Sequence, residues 1–149
     1  MSTHYQGRPE EVRALNAYIL LMRARDTIAA RATAQLESFG VTLGQFGVLE
    51  ALLHLGPLFQ RELGQKLLNS RGNITLVVDN LEKKGWVRRE RQTDDRRMVR
   101  VSLTARGRGF VQRIFPEHVA FVVSEFSRLN AGEQEDLRRL CRTLGKGGQ

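Results

Sequence analysis

NSRGNITLVVDNLEKKGWVRRERQTDDRRMVRVSLT, residues 69–104, changes its apolar period halfway along. In the first half Ile74, Val77, Val78 and Leu81 fall at i, i+3, i+4 and i+7, the single apolar stripe of a half-buried helix. Asn69 and Ser70 offer an N-cap and Gly85 a stop, so a helix is predicted over 71–84. At about 100° per residue its opposite face carries Gly72, Leu76, Asp79 and Lys83, flanked by Asn73 and Thr75. In the second half 86–91 and 98–103 are β-prone runs, the latter with Val99, Val101 and Leu103 alternating with Arg100 and Ser102. The polar link 92–97, QTDDRR, favours a turn, so the two runs are predicted to form a β-hairpin with a basic tip.

Upstream, a short helix over 60–68 precedes the 71–84 helix, which makes a helix, a tight turn and a second helix. Thr42 followed by Gln45 is a capping-box spacing, so another helix is expected over 43–55, ended by Gly56 and Pro57, with Phe46, Leu49, Leu52 and Leu53 inward. Residues 9–39 read as one long helix through Val12, Leu15, Ile19, Met22, Ala29, Ala32 and Leu36, closed by Gly40. Downstream, Thr104 caps a helix over 105–129 that Pro116 should bend. Asn130 and Glu133 open a terminal helix with Leu137, Leu140 and Leu144 in register. The expected fold is mainly α with a small β-hairpin wing: a winged helix-turn-helix in a single domain over 1–149, its lobe spanning 43–104 between long outer helices at 9–39 and 105–145.

Such a chain needs a partner for its charge. Lys and Arg number 24 against 16 Asp and Glu, a formal net charge of +8 with a sequence pI of about 10.7. Residues 83–113 hold eleven basic side chains and three acidic ones, an excess equal to that of the whole chain. A cationic surface concentrated on one helix end and one hairpin points to a polyanion, and the geometry of helix plus hairpin points to double-stranded DNA. A helix-turn-helix puts its second helix in the major groove, where base edges present distinct donor and acceptor patterns. The short polar groups Ser70, Asn73 and Thr75, with Arg71, lie near that helix's N-terminus, and Gly72 permits close backbone approach. Asp79, Lys83 and Arg88 are further candidate DNA contacts.

The 69–104 segment resembles the MarR family of winged-helix regulators, in its Leu81-Glu82-Lys83-Lys84-Gly85 helix ending, its Asp95-Arg96-Arg97 wing tip and its closing Leu103-Thr104. That resemblance implies that Arg97 enters the minor groove and that Asp95 helps hold it; Arg96 is an additional cation for contact with phosphate. It also implies a homodimer built by the outer helices, acting as a ligand-responsive repressor on a pseudo-palindromic operator. The effector, a small and often aromatic molecule, would lie between the dimer interface and the lobe, with Tyr18, Met22, Phe39, Phe46 and His54 as candidate walls. A sequence-independent architectural DNA binder, and a ligand- or protein-binding module on the same fold, remain alternatives.

Other classes of function find no support in the residues. No nucleophile-base signature, Walker loop, dinucleotide fingerprint or zinc-hydrolase motif occurs, so no enzyme, cofactor or metal is expected. His54 and His118 lack carboxylates or cysteines at ligand spacing and read as packing or surface residues. A single cysteine, Cys141, forms no intramolecular disulfide and is expected to be buried in the last helix. With no apolar run of membrane-spanning length and a polar N-terminus, a cytoplasmic protein is expected.

Overall fold

The computed structural model describes residues 2–67 and 71–146, with the backbone alone at 71 and 72. The order is α1 (Pro9–Glu37), α2 (Leu43–Leu55), β1 (Leu58–Phe59), α3 (Gln60–Lys66), α4 (Arg71–Lys83), β2 (Val87–Arg91), β3 (Val99–Leu103), α5 (Ala105–Phe126) and α6 (Ala131–Lys146). Among the described residues no helix is long and apolar enough to cross a membrane. The fold class is that expected, mainly helical with a small antiparallel wing.

The helix starts follow from local chemistry. Thr42 accepts the backbone N–H of Gln45 at 3.1 Å while the Gln45 side chain accepts that of Thr42 at 3.1 Å, a closed capping box. At the start of α5, Thr104 accepts the N–H of Gly107 at 3.0 Å and donates its hydroxyl to the Gly85 carbonyl at 2.6 Å. One threonine thereby caps α5 and ties it to the end of α4. Gly85 itself sits at φ +73, in the left-handed region that a helix stop uses.

The sheet departs from the expected hairpin. It has three strands in the order β1-β3-β2, with Leu58 opposite Val101 and Phe59 opposite Arg100. A two-residue strand is too short to show a period, and it forms only because β3 offers an open edge. The strands begin one residue later than expected at Val87 and Val99, and α1 and α5 end two and three residues early, at Glu37 and Phe126.

The chain divides into two compact units, Met1–Phe115 and Pro116–Gln149. The first contains a core of Leu36, Phe46, Leu49, Leu52, Leu63, Ile74, Val78, Leu81, Val87, Val101, Val111 and Ile114, all essentially inaccessible. At roughly 25 cal/mol per Å² of apolar surface, these side chains are the main stabilising contribution of that unit. Yet α1 buries only Ala32 and Leu36, leaving Leu15, Tyr18, Leu20 and Leu21 exposed.

In the second unit α6 buries none of its described residues, although Leu140 and Leu144 lie on its apolar stripe. The expected burial of Cys141 is not found. It is exposed, because none of the described residues of its unit covers that stripe.

Candidate nucleic-acid interface

Along α4 the predicted stripe turns inward. Ile74, Val78 and Leu81 are buried, so Asn73, Thr75, Leu76 and Lys83 are left exposed on the other side. Leu76, 58 % exposed, is an apolar side chain that no core position accounts for. Thr75 is held from behind: its Oγ1 accepts the Gln60 Nε2–H at 3.0 Å, a link from the first helix of the pair to the second. Ser70 lies outside the described residues, as does the side chain of Arg71; the backbones of Arg71 and Gly72 belong to α4.

The hairpin tip brings together two of the predicted residues. Asp95 Oδ1 accepts both the backbone N–H of Arg97 at 3.0 Å and its Nε–H at 3.1 Å, while Oδ2 accepts from Nη2 at 3.3 Å. This two-point grip on a side chain that is 91 % exposed fixes the direction of the guanidinium without covering it. The Arg97 bonds hold the Asp95 carboxyl below the usual carboxylate range, so the pair is intact at neutral pH. With a depressed native value, the pair is lost only as pH falls through that lowered pKa. Arg96 is exposed beside it, and Arg88 is exposed on β2 with a 3.4 Å pair to Glu90.

Thr75 and Arg97 face one groove of about 490 Å³, whose walls include Phe59, Gln60, Ile74, Asp95 and Val99. The fold therefore brings Thr75 of α4 and the Asp95 and Arg97 pair of the wing tip to the walls of a single concavity. Gln60 Oε1 is buried in this wall with no hydrogen-bond partner. Gln60 was not anticipated as a site residue, since a link fifteen positions long leaves no local pattern.

Two further residues, Arg89 and Glu82, escaped the sequence reading. Arg89 reaches from β2 to α4, where it meets Asp79 and Glu82. Asp79, expected on the DNA-facing side, is half-buried and engaged by this arginine. The signal was present in the period of two, because Arg89 shares a strand face with the buried Val87.

The candidate effector residues are scattered in character. Phe46 is a core residue whose ring stacks on Phe115 with centroids 6.5 Å apart, and His54 meets the same ring edge-on at 4.9 Å. Phe39 packs partly buried against the core. Met22 is half-buried and Tyr18 exposed on α1. None of the five lines the groove between α4 and the wing.

Known proteins share this arrangement. The model of the MarR family matches residues 41–99. A Bacillus subtilis protein described as the uncharacterized HTH-type transcriptional regulator YkoM is 34% identical over 91% of this chain and 89% of its own. Among solved structures, the Streptomyces coelicolor MarR family regulator Sco3205, crystallised with DNA, superposes with a TM-score of 0.84 at 25% identity, covering 98% of this chain and 92% of the other. Bordetella bronchiseptica BpsR, whose DNA binding is regulated by 6-hydroxynicotinic acid, superposes with a TM-score of 0.76 at 25% identity, covering 87% and 98%. A lobe with an exposed second helix and an arginine-tipped wing, joined to this degree of likeness along the chain, makes the protein a member of the MarR family of DNA-binding transcriptional regulators.

Proposed function

We propose that the protein is a homodimeric, ligand-responsive repressor, acting by binding and not by catalysis, in the cytoplasm. Its target would be a pseudo-palindromic operator in double-stranded DNA. The observation that carries this reading is the shared groove, lined by both Thr75 and the gripped Arg97. A major-groove helix and a minor-groove arginine, held on one lobe, fit duplex DNA better than they fit a protein or a flat surface. In this reading Ser70, Arg71, Gly72, Asn73 and Thr75 face base edges, and Lys83, Arg88 and Arg96 face phosphate. Selection of bound sequences from random duplex DNA tests it: an inverted-repeat motif is expected, and recovery of no common motif would overturn it.

The exposed Leu15, Tyr18 and Leu20 of α1, and Leu140 and Leu144 of α6, support the dimer, since apolar side chains so exposed on long helices lack cover within one chain. The outer helices 9–39 and 105–145 would then complete a single MarR-like domain around the 43–104 lobe. Sedimentation at micromolar concentration is expected to give a dimer; a persistent monomer of 16.9 kDa would contradict the assignment.

For sequence readout, Asn73→Ala and Thr75→Ala are expected to lower the preference for operator over random DNA by roughly 5- to 100-fold each, the range for one lost base contact. Titration of each variant on both duplexes, with helix content checked by circular dichroism, measures this. Full discrimination in both variants would place the reading face elsewhere.

The effector would be a small aromatic molecule. BpsR, regulated by 6-hydroxynicotinic acid, supports that chemistry, and the aromatic groups Tyr18, Phe39, Phe46 and His54, with Met22, remain the candidate contacts.

A further inference from the structure

Arg89 stands in the middle of the basic run, yet it points away from the role that its charge suggests. Its Nη2 lies 3.1 Å from Glu82 Oε1 and also pairs with Asp79 Oδ1, so one guanidinium spans two carboxylates a single turn apart on α4. Its backbone N–H donates to Glu82 Oε2 at 2.9 Å. The sheet order makes β2 an edge strand, bonded on its other side to β3 with Arg89 opposite Val101. Glu82 therefore satisfies an edge N–H that the sheet leaves unpaired, and it holds the strand's backbone as well as its side chain. The arginine side chain is only 27 % exposed, whereas Arg97 at the tip of the same hairpin is 91 % exposed.

We propose that Arg89, with Asp79 and Glu82, is a positioning residue for DNA recognition: the cluster clamps the wing to α4 and so fixes the spacing at which the major and minor grooves are read. The proposal rests on the DNA-binding reading above. A hairpin is joined to the reading helix by a short link, and beyond the two residues of β1 only two strands carry its tip, which twist readily against their surroundings. Arg97 is useful for recognition only if its distance from the α4 face matches the distance between adjacent grooves. The clamp lies between these two points, on the strand that leads to the tip. It also accounts for a carboxylate pair on a surface meant for a polyanion, since Arg89 offsets half of that negative charge.

The discriminating variant is Asp79→Asn combined with Glu82→Met, which releases the arginine and makes the surface more cationic. A direct phosphate contact by Arg89 would be strengthened by this change. A clamp would be lost. The probe is a set of duplexes carrying the parent protein's selected site, with the flanking A·T-rich step shifted by one and two base pairs.

The parent is expected to lose about tenfold in affinity per shift, and the variant no more than about twofold, while its affinity for random DNA stays level or rises. Reversing the pair, Arg89→Glu with Glu82→Arg, is expected to recover part of the spacing dependence. Hydrogen exchange without DNA gives a second readout, with the β2 amides of the double variant exchanging about tenfold faster and the α2 amides unchanged.

A double variant that retains the parent's full spacing dependence would overturn the clamp alone. So would unchanged β2 exchange. A parent protein that prefers no duplex over any other would overturn the DNA-recognition reading itself, together with this inference.

Discussion

Arg97→Ala is expected to weaken operator binding by roughly 10- to 100-fold, with the larger loss on operators flanked by A·T pairs. The narrow minor groove of such flanks concentrates negative potential, and a guanidinium held there responds to groove width more than to bulk charge. The Asp95 grip pre-orients the side chain, so little rotamer freedom is left to be lost on binding. Asp95→Ala should therefore give a smaller loss of the same kind, since the cation remains and only its direction is freed. Arg88→Ala, which removes an exposed cation from β2, should cost at most a modest factor that is equal on all duplexes. Each phosphate contact adds about −0.9 to the slope of log affinity against log salt, so a salt series separates the two behaviours. Arg97→Ala binding A·T-flanked and G·C-flanked duplexes like the parent would remove the arginine from the minor groove.

The second large effect concerns stability. A Cβ at Gly107 would lie 1.9 Å from the Trp86 carbonyl oxygen and under 3 Å from two further backbone atoms of that residue. Backbone cannot swing aside as a flexible side chain can. The same carbonyl accepts the Thr104 N–H at 3.1 Å, and the Trp86 ring stacks on Phe110 at 4.1 Å, so the whole junction would have to shift. Gly107→Ala is expected to destabilise by about 3 kcal/mol, at the upper end of overpacking costs. The corresponding fall in Tm is roughly 10 °C for a chain of this length.

Gly109, two residues on in the same helix, has nothing within 4 Å of its Cβ position. Gly109→Ala should instead stabilise by about 0.5–1 kcal/mol, through backbone entropy. Thermal unfolding of the two variants side by side checks the pair, and equal melting temperatures would refute the close approach at Trp86.

Much of this architecture could be read from residues near one another in sequence. The stripe Ile74, Val77, Val78 and Leu81, the alternation of Val99 and Val101, and the Thr42 and Thr104 caps each depend on contacts within a few positions, where backbone geometry alone decides which side chains meet. The Asp95 and Arg97 pair belongs to the same class, being two residues apart in a tight turn. Local identities were therefore sufficient to determine the helices and the hairpin, while the grip of Asp95 on Arg97 was an expectation of the family resemblance that this short spacing permits.

Packing decided the rest. The period of two puts Arg89 on the strand face of the buried Val87, but whether it meets a phosphate or a carboxylate depends on where β2 lies against α4. The same holds for Gln60 beneath Thr75 and for the two residues of β1, which are a strand only because β3 has an open edge. For α6 the stripe of Leu140 and Leu144 told which face is apolar, but an amphipathic period cannot say whether the cover comes from the same chain; tertiary structure leaves that face, and Cys141 with it, exposed.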